Sequence, residues 1–163
     1  MKTKGFTLIE LLVTMGIIAV LTGMAVFNFN QARVRARDVQ RKNDASQLAK
    51  ALEVYKNDIG GYISSNGTLD TSVFQSTLLG GGYIKTTFND PRSADWDTYT
   101  YLSEDGRTYY IRVCLENKAD STRTTDTAIC GLFPNGAGSG LECQCGGSAS
   151  TGYSGTMYII SNP

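Results

Sequence analysis

Gly5-Phe6-Thr7-Leu8-Ile9-Glu10 opens an apolar run that continues to about Val26, and the reading of this stretch decides the fold. Taken as a helix, Phe6 to Val26 is roughly 32 Å long, close to the roughly 30 Å thickness of a bilayer's hydrocarbon core. It is long enough to span a membrane. Glu10 is the one ionisable side chain in the run, and a carboxylate within a spanning helix costs on the order of 2.5 kcal/mol or more, so it demands a partner. Ahead of the run, Lys2 and Lys4 favour a cytoplasmic amino end, which turns the rest of the chain outward. No small-residue cleavage site follows the run, since Leu21-Thr22-Gly23-Met24-Ala25 leads straight into more helix-forming sequence. The apolar run is expected to be retained.

The decamer Lys4-Gly5-Phe6-Thr7-Leu8-Ile9-Glu10-Leu11-Leu12-Val13 resembles the class III signal of type IV pilins and type II secretion pseudopilins. The resemblance implies cleavage by a prepilin peptidase between Gly5 and Phe6 and methylation of the new amino end at Phe6. It implies that the Glu10 carboxylate of one subunit neutralises the Phe6 ammonium of a neighbour, so that two charges enter an apolar filament core as a pair. A plain signal anchor would show the same lysines and apolar length, but not the Gly-Phe-Thr-Leu-Ile-Glu hexad. Many relatives carry proline near the end of the run, where this chain has Phe27, which argues against a kink there.

From Phe27 to about Asp58 there is no proline, and the same helix is expected to continue, to a total of roughly 80 Å. Between Asn28 and Asp44 no wide apolar stripe is visible, so this zone is expected to meet water or other subunits. Ala45, Leu48, Leu52, Tyr55 and Ile59 then fall on one face, which should pack on a globular head, and the helix should stop near Gly60-Gly61. The segments Ala51 to Tyr62 and Gly82 to Pro91 resemble the corresponding parts of type II secretion major pseudopilins, with Ile63 in place of the usual proline.

The remainder reads as a small α+β head. A short helix is expected over Val73-Phe74 and Leu78-Leu79, followed by a turn at Asn89-Asp90-Pro91. Thr98–Ser103 and Arg107–Leu115 form a hairpin candidate about Glu104-Asp105-Gly106, and Thr156–Ile160 supplies a third antiparallel strand. Tyr109, Ile111, Val113 and Leu115 should share the face covered by the helix. The organisation is thus a leader at 1–5, a membrane or filament-core helix at 6–27, an outer helix at 28–59 and a head at 60–163.

Glu116 to Gly155 is low in apolar content and is expected to be a long loop tied down by cysteines. Cys143 and Cys145 stand too close in sequence to bond to each other comfortably, so each should pair with Cys114 or Cys130, and both connectivities remain open. Zinc held by four thiolates is the rival, against which Cys114 and Cys130 lack paired spacing.

Composition excludes much else. With no histidine, a histidine-based hydrolase triad or a histidine-ligated zinc site is impossible in this chain alone, and an enzyme is not expected. Residues 1–56 hold nine Lys/Arg against four Asp/Glu and the rest six against eleven, a basic stem with an acidic head. Such a head is poorly suited to bind nucleic acid, which needs clustered cations. No cofactor is expected; were calcium bound, Asp90, Asp95 and Asp97 would be its oxygen ligands. The expected function is that of a filament subunit: membrane-inserted as a precursor with its head outside the cytoplasm, then drawn by an inner-membrane assembly platform into a surface pilus or periplasmic pseudopilus by self-association. A major pseudopilin of type II secretion, or a minor pilin with an adhesive or DNA-uptake role, are the alternatives.

Overall fold

The computed structural model describes residues 5–65, 69–92, 96–133, 143–146 and 155–162. By internal contacts the chain divides into two compact units, Met1–Ala36 and Arg37–Pro163. Helix α1, Leu8–Ile59, contributes to both and runs without interruption through Phe27. It ends where expected, with the Gly60 N–H bonded to the Lys56 carbonyl and Gly60 at φ 93°, a conformation that glycine adopts without a Cβ penalty.

After α1 the second unit contains β1 (Leu69–Asp70), α2 (Thr71–Gly80), β2 (Thr100–Leu102), β3 (Tyr110–Leu115), α3 (Thr127–Cys130), β4 (Gln144–Cys145) and β5 (Gly155–Ser161). The strands form one antiparallel sheet in the order β1-β2-β3-β5-β4. The hairpin β2–β3 and the terminal strand are where the sequence places them, in a register that sets Tyr101 opposite Ile111 and Ile111 opposite Ile160. Among the described residues five strands stand where three were expected, because β1 and β4 are only two residues long and carry no alternation to read. The segment expected to be loop from Glu116 to Gly155 likewise holds α3 and β4.

One face of the sheet carries Tyr101, Tyr109, Ile111, Val113 and Leu115, which pack with Ala45, Leu48 and Leu52 of α1 and Phe74 and Leu78 of α2 into the principal core. Two details of α1 differ from expectation. Ile59 is 64% exposed, since the helix ends there and leaves no surface above it to cover the side chain. The Asn28 to Asp44 zone is not simply solvent-facing: Asp38 and Arg41 are buried as an ion pair and Asp44 is buried accepting the Tyr99 hydroxyl, rather than by an apolar stripe. The opposite face of the sheet gathers Cys114, Cys130, Cys143, Cys145 and Met157 into a second cluster, flanked by Trp96 and Ile159.

Candidate functional site

The first unit presents the sequence-predicted assembly residues. Gly5 and Phe6 precede the helix, uncovered, with Phe6 81% exposed, and Leu11 N–H to the Thr7 carbonyl is the first helical bond. Thr7 and Glu10 form a reciprocal cap. The Thr7 backbone N–H and hydroxyl donate to Glu10 Oε2 at 2.9 and 2.8 Å, while the Glu10 N–H donates to Thr7 Oγ1 at 3.4 Å. The Thr-x-x-Glu spacing was available in the sequence as a signal for this cap. Beyond it Leu8, Ile9, Leu11, Leu12, Val13 and Met15 all lie exposed, and the helix is long and apolar enough to cross a membrane. An all-round apolar helix of this kind needs either lipid or other protein about it.

The second unit holds a feature the residue pattern did not disclose. Arg41, fully buried, donates from Nε and Nη2 to the two oxygens of Asp90 at 2.7 and 2.9 Å, and from Nη1 to Asp38 at 2.8 Å and Glu116 at 2.7 Å. Arg37 grips Glu116 with a second pair of bonds at 2.6 and 2.7 Å, and Arg92 reaches it at 3.1 Å. Asp38 also accepts the N–H groups of Glu116 and Asn117, which follow β3. Trp96 lies against both Arg41 and Arg92, 5.3 and 4.7 Å from its ring. Burial alone would raise the Glu116 carboxyl, but hydrogen bonds and charge from Arg37 and Arg41 outweigh it and hold the group at about 2. This clasp fastens α1 to the sheet and to the turn at Asp90. Its one sequence hint was the spacing Arg37, Asp38, Arg41 on adjoining turns of a helix.

The cysteines form two disulfides, Cys114–Cys145 and Cys130–Cys143, one of the two connectivities left open by spacing. No thiolate remains for zinc among these four. Of the calcium candidates, Asp95 lies outside the described residues. Asp90 is buried and occupied by Arg41, and Asp97 instead accepts the Gly146 N–H at 3.2 Å and sits 3.7 Å from Arg112. The oxygen of Asp97 also approaches the sulfurs of Cys114 and Cys145, but both are spent in a disulfide. Asp90 and Asp97 are therefore drawn to different cations of the chain itself.

Comparison with known proteins bears on the same regions. A family described as "Prokaryotic N-terminal methylation motif" matches residues 1–26. The chain is 38% identical over 76 residues to the type IV wide pilus major component PilA4 of Thermus thermophilus, covering 47% of this chain and 58% of that protein. It therefore spans less than two thirds of that relative. It is 32% identical over 108 residues to type II secretion system core protein G of Vibrio cholerae, covering 63% of this chain and 72% of the relative. With core protein G of Escherichia coli the identity is 34% over 102 residues, covering 58% and 70%. No solved structure matches the chain.

Proposed function

The chain belongs to the family of type IV pilins and type II secretion pseudopilins, and from that premise we propose that it is a filament subunit made as a membrane-anchored precursor and cleaved between Gly5 and Phe6. The observation that carries this reading is the helix start: an exposed apolar surface on every side, interrupted by one carboxylate at Glu10. In the membrane, lipid covers that surface. In a filament the same surface packs against the helices of other copies, so apolar contact is exchanged rather than lost, and close packing and polar pairing decide the preference.

Residues 1–5 act as the leader, 6–27 as membrane anchor and then filament core, 28–59 as the outer helix and 60–163 as the head. Two lysines hold the amino end in the cytoplasm, within reach of a prepilin peptidase. The uncovered Gly5-Phe6 link offers that peptidase an unwound bond. Methylation of the freed Phe6 amine keeps its charge. When the subunit joins the filament, Glu10 exchanges its Thr7 bonds for the Phe6 ammonium of a neighbour, which removes two isolated charges from an apolar core. An inner-membrane assembly platform supplies the work of extraction, and the chain turns over no substrate.

Two machines fit. The disulfide-tied outer face of the sheet favours an exposed surface pilus, and the longer coverage of the core protein G relatives favours a periplasmic type II secretion pseudopilus. The test is a mass spectrum of protein sheared from cells, taken unreduced and reduced. A mass beginning at methylated Phe6, gaining four hydrogens on reduction, is expected for the surface pilus. Processed protein confined to the membrane fraction selects the pseudopilus, and a chain still carrying residues 1–5 overturns the filament reading.

A further inference from the structure

Two surface patches of opposite charge stand on the second unit. The first is a groove of about 410 Å³ between α1 and the segment after α2, lined by Lys50, Ala51, Val54, Ile84, Lys85 and Phe88 among others. Lys50 and Lys85 are exposed, and neither is in an ion pair among the described residues. Val54 is more than half exposed within the same groove. Of the nearby acids on α1, Glu53 is engaged by the Tyr62 hydroxyl at 2.8 Å, and Asp58 is engaged by Tyr83 at the rim of the groove.

The second patch is the β2–β3 turn, where Glu104 and Asp105 are exposed beside a groove of about 250 Å³ that also includes Leu102, Tyr110 and the partly exposed Leu132. The turn is rigidly built. Asp105 Oδ1 accepts from the N–H groups of Arg107 and Thr108 and from the Thr108 hydroxyl, at 2.9, 3.0 and 3.2 Å. These bonds all fall on one oxygen, and the residue stays exposed beside Glu104. Arg107 offsets only one of the two carboxylates.

We propose that these patches are the two halves of a single contact between copies of this chain, the Lys50/Lys85 groove of one subunit receiving the Glu104-Asp105 turn of another. The proposal rests on the filament reading and names the head surfaces that would set its register. Each patch combines a pair of like charges with an uncovered aliphatic side chain, Val54 on one and Leu132 on the other, so charge and apolar contact match together. Neither patch complements itself. A contact of this heterologous kind leaves one free groove and one free turn at the ends of any row of subunits, which is the condition for open helical growth. Its charges act chiefly by aligning the right surfaces and rejecting wrong ones.

The test is charge exchange in the full chain, assembled in cells, with filament yield measured after shearing and with processing at Phe6 followed in the membrane fraction. Lys50→Glu with Lys85→Glu, and separately Glu104→Lys with Asp105→Lys, should each lower yield about tenfold or more while processed subunit persists in the membrane. Combining all four substitutions should return the yield to within about threefold of wild type, because like charges no longer face each other. Wild-type yield from either pair, or a fourfold variant no better than the pairs, overturns this contact and leaves the filament reading standing. Processed wild-type protein that never enters a filament overturns both.

Discussion

Glu10 is already satisfied by Thr7 at the start of α1, so the proposed pairing with Phe6 of a neighbour is an exchange of partners and not the capture of an idle charge. Glu10→Ala should be processed largely as wild type while filament yield falls strongly; normal filaments from this variant would refute the pairing with Phe6. Arg41 poses the opposite case, a fully buried charge fastened to three carboxylates at once. Arg41→Ala leaves Asp90 buried without its cation, while Glu116 keeps Arg37 and Arg92 and Asp38 keeps the N–H groups of Glu116 and Asn117. The second unit should lose about 3 to 5 kcal/mol, read from denaturant unfolding of the detergent-solubilised chain. The clasp also fixes a pH dependence. Glu116 is held at about 2 as described, and Asp120 at about 2 because bonds from Lys42 and Thr122 outweigh the upward push of burial. Unfolded, both carboxyls titrate near about 4, so the folded state binds fewer protons in between. Their contribution is fully present above that value and is lost as pH falls toward 2. The unfolding midpoint should drop across this window, and less steeply in Glu116→Gln.

Among the elements, the two disulfides close loops of different size, with sequence separations of 31 for Cys114–Cys145 and 13 for Cys130–Cys143. Loop-closure entropy gives about 4 kcal/mol for the first and about 3 kcal/mol for the second. Serine pairs at 114/145 should therefore lower the unfolding midpoint more than pairs at 130/143, and the reverse order would exclude this account. The elements also show what could be read in advance. The length of the apolar run located the start of α1, and periodicity located its outer end, α2 and the strands β2, β3 and β5, because each of these buries a repeating apolar face. It missed β1 and β4, whose two residues carry no period, and the clasp, whose burial comes from paired charges that a search for apolar stripes passes over. Spacing narrowed the disulfides to two connectivities; only the folded geometry brings Cys145 to Cys114. The N-terminal motif was legible because a compact hexad carries it, and the family match covers residues 1–26, whereas the Lys50 groove joins residues 35 positions apart and has no local signature.

For the whole molecule, formal neutrality hides a division of labour: fifteen cations and fifteen acids, distributed so that stem and head differ in sign. Such a chain can attract its own copies without being drawn indiscriminately to other polyions. The continuity of α1 from Leu8 to Ile59 has a mechanical consequence. If a filament is pulled, tension enters each subunit through the side chains around the first turns of α1 and passes to other subunits along the same helix. All four cysteines lie beyond Ile59, so the covalent staples stand beside this load path and not in it. Reducing them in assembled filaments should soften the heads to heat and protease while leaving the force at which a single filament parts unchanged, as optical tweezers would record. The bonds that make the head durable are thus separate from those that make the fibre strong.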